Sequence, residues 1–212
     1  DAVAQSVINQ IRAAGTVVVI ANGNGKDQGQ RWVSYPANCA GAVSVAATNP
    51  NRAVTFYSQE GPETDVAAPG GALDGISANA VWSTNIYRVG DGAATWRYSG
   101  FNGTSMATPH VAGVVALMKA VRPSMTPVDF DNFLASGQIT TDIGSIGKDN
   151  ASGFGLINAF KAVTAAQSST PNVAPRIDVT PTQISFGNAT NQLSVYVTLV
   201  GNAAETVSVS SS

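Results

Sequence analysis

Thr16 to Ala21 reads TVVVIA, a run of β-branched and apolar residues with no polar alternation. A strand with one wet face alternates, so an unbroken run predicts a parallel strand covered on both faces. Ahead of it, Val3, Val7, Ile11 and Ala14 recur three or four apart, the stripe of an amphipathic helix over Asp1 to Ala14 that Gly15 ends. Shorter apolar runs follow at Ala42 to Ala47, Ala53 to Tyr57 and Asp65 to Ala68. A leading helix, a run that needs cover on both faces and a chain rich in Gly, Ala and Val favour helices packed on a sheet, an α/β fold read as a doubly wound, mostly parallel sheet with helices on both faces.

Downstream, Trp82, Tyr87, Trp96 and Tyr98 flank Gly90-Asp91-Gly92, which predicts a β-hairpin. Met106 to Val121 reads as a helix with small residues, Ala112 and Gly113, suited to close packing. Thr126, Pro127 and Asp129 supply a cap, a first-turn proline and a capping-box acid for a helix to about Ala135. A last helix is expected from about Ile157 to Ala166. Residues 167–176, QSSTPNVAPR, have linker composition, and the alternating segments in 177–212 read as the start of a β-sandwich-like extension. Such a domain normally needs about 100 residues, so the chain is expected to stop inside it.

Composition excludes some function classes. With 11 Lys and Arg against 13 Asp and Glu, the chain lacks the clustered positive charge that nucleic acid demands. No segment reads as a membrane span. The chain opens at Asp1 without a signal-peptide pattern, which is read as an internal start. The lone Cys39 is equally compatible with a buried thiol and with a partner elsewhere.

Chemistry concentrates in GTSMATPHVAG, Gly103 to Gly113. A serine after a glycine turn and at the start of a helix meets unpaired N–H groups and the positive end of the helix dipole, which favour a developing oxyanion. A serine nucleophile also needs a base. The only histidine is His110, five residues on. At about 3.6 residues per turn and about 1.5 Å rise, the two side chains diverge by roughly 140° and about 7.5 Å, so His110 is not the base of Ser105. It reads instead as a packed histidine on the buried side of the helix.

GTSMATPHVAG closely resembles the nucleophile signature of the subtilisin-like serine proteases, the subtilases. Four ordered segments extend the resemblance over about Asp1 to Ala166: VVVIANGNG (Val17 to Gly25), YPANC (Tyr35 to Cys39), DVAAPG (Asp65 to Gly70) and GFGLINAFKAV (Gly153 to Val163). The resemblance implies that residues 1–166 are the C-terminal part of a subtilase catalytic domain, a serine endopeptidase acting through an acyl-enzyme. Ser105 is then the nucleophile and Asn24 an oxyanion-hole donor, with the Ser105 N–H as second donor and Thr104 as support. Ala21, Gly23 and Ser34 would border the pocket for the substrate residue before the cut, with the Tyr35 to Cys39 segment beneath it and Pro36 the proline that is commonly cis in the family. Asn22 aligns with a small residue and reads as a lining residue or a turn former. Met106, beside the nucleophile, is a site where oxidation would impair turnover.

The chain departs from the family at one point: the triad order there is Asp, His, Ser, and no histidine precedes Ser105. Neither Asp1 nor Asp27 sits in the family's aspartate context. The resemblance therefore implies that the missing Asp and His come from an N-terminal half of the catalytic domain outside this sequence, with which Cys39 could pair, and that this chain alone is inactive or nearly so. A truncated product, a fragment of a nicked protease and a degenerate member all remain open. The alternative function is a non-catalytic peptide- or surface-binding protein on a protease fold. The resemblance further implies secretion, protein or peptide substrates and no catalytic cofactor; family members often bind calcium in surface loops, so structural calcium is compatible, although the loop acids here read first as solvated. Asp65, Asp74, Asp91, Asp142 and Asp149 offer oxygen ligands, but no EF-hand-like spacing assigns any of them. Asn102, Asn150 and Asn188 begin glycosylation sequons, and a glycan on the first would block the site.

Overall fold

The computed structural model describes residues 2–88, 90, 92, 94–168, 176–180 and 196–200. Two compact units divide the chain, Asp1–Ser168 and Ser169–Ser212. In the first, helix α1 (Ala2–Ala13) leads into strand β1 (Val18–Ala21), followed by β2 (Ala42–Thr48) and β3 (Val66–Pro69). The hairpin β4 (Val81–Tyr87) and β5 (Thr95–Phe101) precedes the long helix α2 (Thr104–Val121). Helix α3 (Pro127–Ala135), short strands β6 (Thr140–Thr141) and β7 (Leu156–Ile157), and α4 (Ala159–Ser168) complete the unit.

The central sheet has the order β1-β2-β3-β7-β6, parallel except for the β6–β7 pair, and it is flanked by helices as an α/β fold requires. Every residue of β2 is buried. Val43, Val45 and Ala47 face a core made with Ala107, Val111, Val114 and Met118 of α2, whose spacing of three and four puts them on one helix face. The opposite face of β2 carries Ser44, which joins a buried polar network instead.

Local chemistry accounts for most element ends. Thr126 Oγ1 accepts the Asp129 N–H while the Asp129 carboxylate accepts the Thr126 N–H, the expected capping box of α3. The aromatic hairpin forms with Trp82 opposite Gly100 and Ile86 opposite Trp96. In the second unit, β8 (Arg176–Thr180) and β9 (Tyr196–Val200) pair antiparallel. Most of the expected linker, 169–175, lies outside the described residues, as do Asp91 and Asn188.

Five expectations need correction. The Thr16 to Ala21 run is not covered on both faces: β1 takes only its last four residues and is half-buried, because it is the edge strand with β2 on one side only. Ala53 to Tyr57 is not a strand: Asn49 Oδ1 accepts the N–H groups of Asn51 and Ala53, and this turn leaves only a single bridge, Thr48 with Val54. Leu156 and Ile157 are strand, and the last helix starts later, because Asn158 caps it by accepting the Lys161 N–H. The stripe of α1 is not buried, with Val3 70%, Val7 47% and Ile11 37% exposed while Ile8 is the residue turned inward. His110 is exposed rather than packed, because it lies off the face of α2 that carries Ala107, Val111 and Val114 into the core.

Candidate active site

Two segments distant in sequence build the site: the turn after β1, Asn22 to Gly25, and the turn into α2, Asn102 to Ser105. Gly103 has φ +148°, which favours glycine, and a Cβ there would sit 3.3 Å from Asn24 Nδ2. Its N–H donates to the Gly70 carbonyl at 2.8 Å. That carbonyl belongs to the loop after β3, which the buried Tyr57 hydroxyl also holds, lying 2.9 and 2.7 Å from the Gly70 and Gly71 oxygens. Burial pushes the Tyr57 phenol pKa up, so it remains a protonated donor there.

Ser105 is exposed in the first turn of α2. Among the first three N–H groups of that helix, Thr104 N donates to Asn24 Oδ1 at 2.8 Å and Met106 N to the Gly103 carbonyl at 2.9 Å. The Ser105 N–H between them has no preceding-turn carbonyl to bond. No acidic residue occupies the first turn, so the positive end of the dipole is not neutralised by a side chain of the helix itself.

Asn24 is held by its oxygen. Oδ1 accepts both the Thr104 N–H at 2.8 Å and the Thr104 hydroxyl at 3.0 Å, and Thr104 Oγ1 accepts the Gly23 N–H at 3.2 Å. With both donors on Oδ1, the amide nitrogen is turned away as a donor of fixed direction. Thr104, fully buried, thereby ties the two turns together across 80 residues of sequence.

Beneath them lies a polar floor. Asn22 is wholly buried: its Nδ2 donates to the Gln59 carbonyl and to Thr64 Oγ1, both at 3.0 Å, and its Oδ1 accepts the Ser44 hydroxyl. It is a turn former, with no surface to line a pocket. Ser34 is half-buried; its N–H donates to the Asn22 carbonyl at 2.8 Å and its hydroxyl to Gln59 Oε1 at 3.0 Å. Gly23, at φ +110°, has no room for a side chain, since a Cβ would fall 1.9 Å from Gln59 Oε1 and 2.7 Å from Ser34 Oγ. Ala21 ends β1 beside them, half-buried, and the Tyr35-Pro36 peptide bond is cis.

Gln59 is the residue that sequence reasoning missed. Its backbone N–H donates to the Gly23 carbonyl at 3.0 Å, Oε1 also accepts the Gly25 N–H at 3.3 Å, and Nε2 donates to the Trp32 carbonyl. A glutamine in a polar loop carries no local signal of such a role.

His110 makes no bond to Ser105; its Nδ1 donates to the Met106 carbonyl at 2.9 Å. With half-buried Met106, it lines a cavity of about 390 Å³ that Val81, Trp82, Phe101 and Pro109 also border. The carboxylates are engaged locally. Asp65 accepts the Ser44 N–H at 2.9 Å with Lys148 at 3.9 Å; Asp74 accepts from Ile76 and Asn79, and Asp142 from Gly147. Asp149 accepts from Ser145, Ala151 and Ser152. Among the described residues no three acidic, His or Cys side chains converge as a metal site.

The chain that builds this site also has counterparts among known proteins. The subtilase family model matches residues 1–155. This chain is a subtilase. It is 39% identical over 163 residues to an extracellular protease of Xanthomonas campestris pv. campestris, covering 76% of this chain and 26% of that protein. Against subtilisin BL of Lederbergia lenta the identity is 36% over 162 residues, covering 76% and 51%. A solved protease structure from Pseudoalteromonas arctica superposes with a TM-score of 0.66 at 38% identity, covering 78% of this chain and 47% of that one. The subtilase portion thus spans between about a quarter and a half of the curated relatives' length.

Proposed function

We propose that the chain carries the nucleophile and oxyanion hole of a serine endopeptidase. The observation that carries this reading is the double hydrogen bond from Thr104 to Asn24 Oδ1, which fixes the amide of exposed Asn24 against the turn that bears exposed Ser105 and leaves Nδ2 as the donor. Ser105 Oγ attacks the peptide carbonyl. The Asn24 amide and the Ser105 N–H receive the charge that forms on oxygen, in a setting built before substrate arrives. The tetrahedral adduct collapses as its C–N bond breaks and the protonated amine leaves, and the acyl-serine that remains is hydrolysed by water. Ala21, Gly23 and Ser34 form the wall of the pocket for the residue before the cut, and catalysis by these groups needs no cofactor.

The base and its orienting carboxylate come, in this reading, from polypeptide outside these 212 residues. Its single histidine is committed to the Met106 carbonyl. Two surfaces suit such a partner: β1, a half-exposed edge strand of the sheet, and the exposed apolar stripe of α1. Alone, the chain is inactive or nearly so. Secretion fits the extracellular protease to which it is similar, and structural calcium remains compatible with its loops, without an assigned ligand.

The test is a fluorophosphonate probe added to the chain with and without the upstream half. Labelling is expected only in the reconstituted protein, and it should disappear with Ser105→Ala. Absence of labelling in the reconstituted protein refutes the reading and favours a non-catalytic peptide-binding role.

A further inference from the structure

The sequence holds three Asn-Gly pairs within this site, Asn22-Gly23, Asn24-Gly25 and Asn102-Gly103. An asparagine followed by glycine is chemically labile, because no Cβ shields the next backbone nitrogen from the side-chain amide carbon. By sequence the three pairs are equivalent. The structure distinguishes them.

Asn22 is wholly buried and both hydrogens of its amide group are engaged, by the Gln59 carbonyl and by Thr64. Ammonia leaving there would have to depart through packed protein. At Asn102 the attacking nitrogen is the obstacle, since the Gly103 N–H is tied to the Gly70 carbonyl at 2.8 Å. The Asn102 amide oxygen is moreover buried with no hydrogen-bond donor to polarise it.

Asn24 differs chiefly in its side chain. It is exposed, and its Oδ1 accepts two hydrogen bonds from Thr104, which draw electron density from the amide carbon and are in place to stabilise the oxygen of a tetrahedral adduct. Gly25 is buried and its N–H donates to Gln59 Oε1 at 3.3 Å, a longer bond than the 2.8 Å one that ties Gly103. The clamp that orients the oxyanion donor thus also activates it.

We propose that Asn24 is a site of spontaneous deamidation that limits the lifetime of the oxyanion hole. Hydroxide removes the Gly25 N–H proton and that nitrogen bonds to the Asn24 amide carbon. The bond from this carbon to Nδ2 breaks, and ammonia leaves with a proton from water, closing a succinimide. Water then opens either imide bond, leaving an aspartyl or isoaspartyl residue at position 24. A carboxylate there puts a negative charge where the oxyanion forms. The loss of function rests on the protease reading; the modification itself does not.

The experiment incubates the native Ser105→Ala protein, which cannot digest itself, in mildly alkaline buffer and follows each Asn-Gly pair by peptide mapping in a mass spectrometer. Position 24 is expected to deamidate about fivefold faster than positions 22 and 102, the effect of roughly one hydrogen bond on a barrier, and to lose that lead in urea. Gly25→Ala should slow position 24 alone; the new methyl would lie 2.7 Å from Gln30 Oε1 and 2.9 Å from Gln30 Cβ, so exposed Gln30 must shift together with its turn, and circular dichroism checks that the variant stays folded. A rate at position 24 no greater than at the other two, or a lead that survives urea unchanged, overturns the proposal. In the unsubstituted reconstituted protein, probe labelling should fall in step with modification. If fresh protein never labels while position 24 still leads, the protease reading falls and this inference stands.

Discussion

Replacing Gln59 with alanine tests whether one buried amide holds the substrate-side floor together. The change removes three hydrogen bonds: from Ser34 Oγ at 3.0 Å, from Gly25 N at 3.3 Å, and to the Trp32 carbonyl. The bonds of the Gln59 backbone to Gly23 and Asn22 survive. At about 1 kcal/mol net for each bond the loss is about 3 kcal/mol, and water entering beside half-buried Ser34 offsets part of it, leaving about 2–3 kcal/mol. Ser34→Ala removes only the first bond and should cost about 1 kcal/mol. The two changes share that bond, so the double variant should unfold about as easily as Gln59→Ala alone, a coupling of about 1 kcal/mol. Urea unfolding followed by far-UV circular dichroism measures all four proteins. A Gln59→Ala protein within about 0.5 kcal/mol of the original, or strictly additive variants, refutes the assignment.

Asn24→Ala in the reconstituted enzyme should lower kcat by roughly 10² to 10³ with KM little changed, a magnitude known from subtilisin itself rather than worked from this geometry. Asp65 has its pKa raised, first by burial, against the opposing Ser44 N–H and Lys148. Its native form therefore binds the proton more tightly than the unfolded chain, and the ionised group lowers stability as pH rises through its titration. Asp65→Asn should accordingly be more stable than the original at neutral pH and lose that advantage in acid, as read from melting curves across pH. Asp129 behaves oppositely: the Thr126 N–H and hydroxyl, then Arg122, hold its pKa down. Asp129→Ala should lower the melting temperature above the unfolded carboxylate pKa of about 3.9, and the difference should shrink as pH falls through the lower native value.

Features that rest on neighbours in sequence were legible there. The unbroken Val17–Ile20 run announced a parallel strand though not its half-exposed place at the sheet edge, Thr126 with Asp129 announced a helix start, and glycine followed by Thr104 and Ser105 announced a serine at another. Each is decided within a few residues, by sterics, capping or periodicity. Even there a single overlooked signal misplaced an element. Asn158 is as good a cap as Thr126, and it moved the start of α4 past Ile157, which belongs to the sheet.

The working parts of the site were decided by contact between segments remote in sequence. Thr104 could be guessed as support, but its clamp on Asn24 exists only because the end of β1 and the start of α2 meet. Gln59 became the floor under Gly23 through bonds across 25 to 36 positions. Exposure followed the same rule: the apolar spacing of α1 was plain in the sequence, yet whether Val3 and Val7 are covered depends on what packs against them. Composition and spacing set what each segment is able to bury or bond, whereas a hydrogen bond needs its donor and acceptor within about 3 Å, and only the folded chain brings them there.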